Sequence, residues 1–245
     1  MNALNEKGQQ YHLEISCGDV GRYVILPGDP GRVAKIAAYL DDAHQVACHR
    51  EYTTYTGYLD GVKVSTCSTG IGAPSTSIAV EELYAVGADT FIRIGTAGMI
   101  QDDIPIDGVV IATGSVRDEG TTRQYIPLSY PAVASFEVVE ALRAGAEKMG
   151  LEYRTGIVQS KDAFYGETEP ESMPFEGMLR QQWEAWKRGN VLASEMESSA
   201  LFVVSSIRKL RAGCVLNNRG DMDKTIRMAV EAMRCLIRKD GAGRD

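Results

Sequence analysis

Histidine is scarce in this chain and cysteine is scattered. Only His12, His44 and His49 occur among 245 residues, with no H-E-x-x-H helix and no Cys/His cluster, which argues against a catalytic transition-metal site. The five cysteines, Cys17, Cys48, Cys67, Cys214 and Cys235, are odd in number and never form a C-x-x-C pair, so reduced structural thiols are expected rather than disulfides or zinc. Long apolar runs are missing too. None approaches the roughly 18 residues of a spanning helix, and residues 1 to 13 are polar and lack a signal core, so a cytoplasmic protein without membrane contact is expected.

Basic charge is also in short supply. Lys plus Arg total 26 against 33 Asp plus Glu, for a net charge of −7 without a long run of either sign, which is unlike a general nucleic-acid binder. An anion bound here must be captured locally, by a few arginines or backbone amides acting against the overall field. No G-x-x-x-x-G-K-[ST] phosphate loop occurs, and Gly70-Ile71-Gly72 is followed by Ser75 where the third glycine of a dinucleotide fingerprint would stand. No G-x-S-x-G elbow is present either, so ATP, nicotinamide and serine-nucleophile chemistry all lose support.

What is present is an ordinary globular composition, 44% apolar and 24% charged, enough for one large domain over residues 1–245. Tyr23 to Leu26 is a short β-type run, followed by the turn Pro27-Gly28-Asp29-Pro30-Gly31-Arg32 and then by apolar residues at helical spacing. Further strands are expected at Val62 to Ser68, Thr90 to Ile94, Val109 to Thr113, Gly156 to Ser160 and Ala212 to Leu216. Helices are expected at Ser75 to Val86, Ala134 to Met149, Glu197 to Leu210 and Asp223 to Arg238. The alternation predicts an α/β layered fold. Gly166 to Gly177, rich in proline, glycine and acidic residues, reads as a long mobile loop of the kind that covers sites.

Glycine turns follow several strands, at Gly28 to Gly31, Gly70 to Ser75, Gly95 to Gly98 and, more weakly, Phe164 to Gly166. Any one of them can be simple turn geometry, yet such turns also let backbone N–H groups approach an anion. Arginines stand beside them: Arg32 just past the first, Arg93 just before the third, and Arg50 within Cys48 to Tyr52. A guanidinium fork suits a pair of phosphate oxygens, so the set suggests a phosphate pocket. Ser194 and Glu197 have the spacing of a capping box at a helix start, which is the structural reading. The functional reading is a carboxylate that accepts hydrogen bonds from a sugar diol. Spacing alone leaves both open.

The run from Ser68 to Leu83 (STGIGAPSTSIAVEEL) resembles the signature of the nucleoside phosphorylases of the uridine phosphorylase type. Matching segments at Pro27 to Arg32, His49 to Tyr52, Arg93 to Gly98, Lys161 to Tyr165 and Glu195 to Ser198 extend the resemblance over most of the chain. It implies a single α/β domain around a twisted, partly barrel-like mixed sheet flanked by helices, assembled as a hexamer of three dimers with shared active sites. By the same matching, Gly28, Arg32, Arg93 and Thr96 bind phosphate, with Arg50 contributed across the dimer interface. Met196 and Glu197 hold the ribose, His12 reaches it from a partner chain, and Phe164 and Glu167 fall at the base. Arg93 and Glu197 are then the residues closest to the chemistry. Glu51 and Ser75 would fall at a monovalent cation site between subunits. No cofactor is implied; inorganic phosphate is the co-substrate.

Two departures bear on the base. Glu167 stands where the uracil-reading glutamine is expected, and a carboxylate can accept from N3–H but cannot donate to a carbonyl. Cys214-Val215-Leu216-Asn217-Asn218 carries no aspartate of the purine-specific kind. The connection from Leu216 to Met222 is also shorter than the family's, with Arg219 as the remnant of a base-pocket stretch. The leading expectation is uridine phosphorolysis; a nucleosidase, a purine nucleoside phosphorylase and a non-catalytic nucleoside binder are the alternatives.

Overall fold

A computed structural model of the chain describes residues 4–105, 107–218 and 221–242. The strands are β1 (Tyr23–Pro27), β2 (Asp41–His49), β3 (Tyr52–Leu59), β4 (Val62–Cys67), β5 (Thr90–Thr96), β6 (Gly98–Met99), β7 (Val109–Asp118), β8 (Ala132–Val133), β9 (Tyr153–Lys161), β10 (Ala193–Glu195) and β11 (Arg211–Asn217). The helices are α1 (Val33–Ala37), α2 (Ala73–Ala85), α3 (Thr122–Tyr125), α4 (Phe136–Lys148), α5 (Phe164–Thr168), α6 (Glu176–Arg188), α7 (Ser198–Ile207) and α8 (Met222–Ala242).

One twisted mixed sheet runs in the order β2-β3-β4-β1-β5-β11-β7-β9-β10-β6, with β8 on the side of β7. β1 is parallel to β4 and β5, and β5 to β11, whereas β7 runs antiparallel to β11 and parallel to β9. The chain passes directly from β5 through Ala97 into β6, and β6 pairs with β10 at the far end of the order. The strands from β5 to β10 therefore close on themselves, which is the barrel-like part of the sheet.

Alternation along the strands supplies two cores. Val24, Leu26, Phe91, Val110, Ala112, Cys214 and Leu216 pack with α2 and α7 residues such as Val80, Leu83, Leu201 and Phe202. Tyr23, Ile25, Ile92, Ile94, Ile111 and Val215 face α4 and α8 through Val138, Leu142, Ile226, Val230 and Met233. A strand buried on both faces needs mostly apolar residues, which is why β1 reads as a continuous apolar run and β5 carries Phe91, Ile92 and Ile94 around Arg93.

Every strand and helix read from periodicity is present. Two long strands, β2 and β3, went unread because β2 is largely exposed and carries no apolar pattern. The expectation of a long mobile loop at Gly166 to Gly177 is corrected. The segment opens in α5, where Glu169 N–H bonds to Tyr165 O, continues through a 3-10 turn at Pro170–Ser172, and enters α6 at Glu176. Proline at the first position of the short turn starts it rather than breaking it. Four residues separate β11 from α8, and Arg219 lies outside the described residues.

Candidate active site

A cavity of about 800 Å3 opens where the strand ends carry glycine turns. Its wall includes Gly28, Arg32, Arg93, Thr96, Phe164, Glu167, Met196 and Glu197, eight of the residues that the resemblance implies for phosphate, ribose and base. The turn after β1 is held by Asp29, whose carboxylate accepts from Gly31 N–H at 2.8 Å and lies 3.7 Å from Arg32 Nε. Arg32 is thereby directed along the cavity wall by its own turn.

Arg93, on β5, is a buried charge. Its Nε donates to Glu195 Oε2 at 3.0 Å and its Nη2 donates to Glu197 Oε2. All three residues are within a few per cent of complete burial. Nη1 is buried without a hydrogen-bond partner, and a Cβ placed on Gly28 would stand 3.8 Å from it. A buried N–H without an acceptor costs free energy.

Glu195 and Glu197 differ although they are two residues apart. Burial works to raise the Glu195 carboxyl, but Arg93 and the donors on Ser160 and Ser198 outweigh it and hold it below the usual carboxylate range. Burial lifts the Glu197 carboxyl above that range, with the Glu195 charge adding and Arg93 opposing. Glu197 also accepts from Gly72 N–H at 2.7 Å. Gly72 holds φ at 97°, a conformation closed to most side chains, so the glycine-rich signature turn delivers that N–H to the carboxylate.

The capping-box reading of Ser194 and Glu197 is corrected. Ser194 lies on β10, and α7 starts only at Ser198. The cap is Glu195, whose carboxylate accepts from Glu197 N–H at 2.9 Å and from Ser198 N–H at 2.9 Å, an anion at the positive helix end. Glu197 is left facing the cavity.

Arg50 and His12 do not line this cavity. They sit together elsewhere: Arg50 lies over the Tyr11 ring at 5.9 Å, Tyr11 stacks edge-on with His12, and His12 Nδ1 meets Glu82 Oε1 at 2.6 Å. Glu82 also accepts from the backbone N–H groups of His12 and Leu13, fixing the segment. Glu51 reaches the cavity wall and meets Ser75 around Gly70, where a Cβ would stand 2.7 Å from Glu51 Cγ and 3.4 Å from Ser75 Oγ. One carboxylate and one hydroxyl are too few ligands for a cation, so this pair fits one only if doubled by a second copy. Among the described residues no group of three or more His, Cys, Asp or Glu gathers for a metal ion.

Three contributors escaped the sequence reading. Glu195 looked like the neighbour of a capping pair, Lys161 stood in a matched segment without a role, and Trp183 on α6 carries no local signal at all. All three line the cavity.

Comparison with known proteins bears on the family. A model of the phosphorylase superfamily matches residues 22–226. A uridine phosphorylase of Treponema pallidum is 48% identical over 246 aligned residues, covering 94% of this chain and 95% of the relative. A uridine phosphorylase of Thermococcus kodakarensis is 49% identical over 212 residues, covering 86% and 76%. A guanosine phosphorylase of Halorubrum lacusprofundi is 40% identical over 214 residues, covering 87% and 84%. The matched span runs from the start of the sheet into α8 and contains the arginines, both signature carboxylates and the glycine turns, and on those grounds the chain belongs to the phosphorylase superfamily.

Proposed function

We propose that the protein catalyses the phosphorolysis of a pyrimidine nucleoside, uridine plus phosphate giving uracil plus ribose 1-phosphate. The observation that carries this reading is the buried, unpaired Nη1 donor of Arg93, a residue of the cavity wall beside Gly28, whose charge suits an anion that a water-using nucleosidase would not require. Arg32 and Thr96 on the same wall, and relatives named uridine phosphorylase, support it.

In this reading phosphate rests against Gly28, Arg32, Arg93 and Thr96, while Met196 and Glu197 hold the ribose. A phosphate oxygen forms a bond to C1′ as the C1′–N1 bond breaks and its electron pair leaves on the base. Positive charge develops on the sugar ring between the phosphate and the departing base anion, and the site stabilises that arrangement. The proton carried by the incoming phosphate ends on N1 of uracil, so atoms and charge balance without a cofactor. Glu197 accepts from ribose hydroxyls and holds C1′ in line with the phosphate.

Arg50 and His12, which lie away from the cavity of their own chain, act in the site of a neighbouring copy in this reading, within a hexamer built as three dimers. Glu51 and Ser75 with their symmetry mates would hold a monovalent cation between subunits. Residues 1–245 act as one domain of a cytoplasmic enzyme. A second reading, a 6-oxopurine nucleoside as substrate, is supported by the relative named guanosine phosphorylase.

Release of base from uridine and from inosine, measured with and without phosphate, tests the proposal. Phosphate-dependent formation of ribose 1-phosphate from uridine is expected. Equal rates without phosphate would make the protein a nucleosidase, and binding without turnover would make it a nucleoside-binding relative.

A further inference from the structure

Lys161, at the end of β9, is a lysine placed where a lysine is costly, with only 8% of the residue exposed. Its ammonium donates to Ser194 Oγ at 2.6 Å and pairs with Glu167 Oε2 at 2.8 Å. Ser194 Oγ donates in turn to the same Glu167 oxygen at 2.6 Å. A hydroxyl has a single proton, so accepting from Lys161 while donating to Glu167 fixes all three groups against one another. An ammonium has three donors, of which two are used here, and Glu167 Oε1 has no hydrogen-bond partner among the described residues. All three residues line the cavity, beside Phe164, whose ring centroid lies 5.9 Å from Lys161 Nζ.

The geometry points to Lys161 and Glu167 as a two-pronged reader of the base, a specificity device that rests on the nucleoside reading of this site. Glu167 Oε1 accepts an imide N–H, and the remaining N–H of Lys161 donates to the adjacent carbonyl oxygen. Uracil presents that edge at N3–H and O4, and a 6-oxopurine presents the same edge at N1–H and O6. Cytosine presents the reverse, a bare ring nitrogen beside an amino group, which would set a lone pair against the carboxylate and N–H donors against the ammonium. A carboxylate in place of a carboxamide is incomplete alone, because it offers nothing to the base carbonyl. Lys161 supplies the missing donor. A site built on such polar groups rejects a ligand that cannot pair with them far more strongly than an apolar pocket rejects a misfit.

The test compares uridine, N3-methyluridine, cytidine and inosine at saturating phosphate, using the full-length protein and its Lys161→Met and Lys161→Arg variants. For wild type, uridine is expected to be the better pyrimidine substrate, with N3-methyluridine and cytidine poor. In Lys161→Met the kcat/KM for uridine should fall about ten- to a hundredfold, the cost of a hydrogen bond to a charged group. Cytidine should change little, the KM for phosphate should stay unchanged, and Lys161→Arg should recover part of the loss. Inosine, if turned over, should follow uridine, which would identify the bicyclic ring as a second source of the same edge. An equal fall for every nucleoside, or no fall for uridine, would reduce Lys161 to a brace and overturn the proposal. Should Lys161→Met fail to fold, Ser194→Ala and Lys161→Arg make the same comparison. If no variant requires phosphate, the proposed reaction fails on its own, and calorimetric binding of uracil against cytosine still decides the base reader: a wild-type preference for uracil that Lys161→Met abolishes upholds it, and its absence overturns it.

Discussion

Arg93 Nε donates to Glu195 at 3.0 Å although their strands, β5 and β10, are separated by β11, β7 and β9 in the sheet order. In a flat sheet four inter-strand steps would hold them about 19 Å apart. The contact is a direct consequence of the sheet curling closed. It also means that the residue proposed to bind phosphate is a structural counter-ion for two buried carboxylates, and mutations there report on both roles.

Replacing Arg93 by Ala is expected to lower stability by about 3 to 5 kcal/mol, because Glu195 and Glu197 would lose the charge that compensates their burial. Arg32→Ala removes only a wall residue of the cavity and should leave the unfolding midpoint nearly unchanged while raising the KM for phosphate. Thermal unfolding together with phosphate saturation curves checks both. An Arg93→Ala protein as stable as wild type would contradict the buried pairing.

Glu197→Gln keeps the shape of the side chain and an oxygen for Gly72 N–H, but removes the charge facing Glu195. Its single oxygen cannot also serve Arg93 Nη2, so folding stability should fall by about 1 to 3 kcal/mol, less than for Arg93→Ala. Turnover should fall about ten- to a hundredfold through the loss of charge-assisted contacts to the ribose hydroxyls. Steady-state kinetics on uridine would expose the error if kcat/KM were unaltered.

At phosphate concentrations too low for either variant to turn over well, mixing Arg50→Ala chains with Arg32→Ala chains should raise activity above that of either alone, because a mixed dimer can contain one site with both arginines intact. The separation of Arg50 from the cavity of its own chain motivates the experiment. Native mass spectrometry would verify that mixed oligomers formed. If they form and activity does not rise, Arg50 does not act across an interface.

Asp240 on α8 accepts from Arg211 Nη1 and Nη2 at 2.9 and 2.5 Å and from Tyr23 Oη at 2.6 Å. The Arg211 bonds hold its carboxyl down at about 2, against an ordinary 3.8, even though burial opposes them. A carboxyl whose folded value is depressed stabilises the fold in full above its unfolded value and loses that contribution as pH falls through the folded value. Asp240→Asn should accordingly cost about 1 to 3 kcal/mol at pH 6, and the gap from wild type should close between about pH 4 and pH 2. Urea unfolding across that range measures it, and a gap independent of pH would rule out the linkage.

The amino-acid sequence by itself determined the layered α/β class, because the apolar runs at Tyr23 to Leu26 and Thr90 to Ile94 and the helical spacing after them are local patterns. It also marked the glycine turns and the arginines beside them, and at Gly70 and Gly72 a positive φ is what requires the glycine. It could not tell whether the Glu197 side chain caps a helix or lines the cavity. That choice depended on where α7 begins and on Arg93, 104 residues away in sequence. The Lys161–Ser194–Glu167 cluster was likewise invisible, because its members sit on β9, β10 and α5 and Ser194 joins the other two only when β10 pairs with β9. Local propensity acts over a few residues, whereas a buried charge is permitted only by partners that the tertiary fold brings to it.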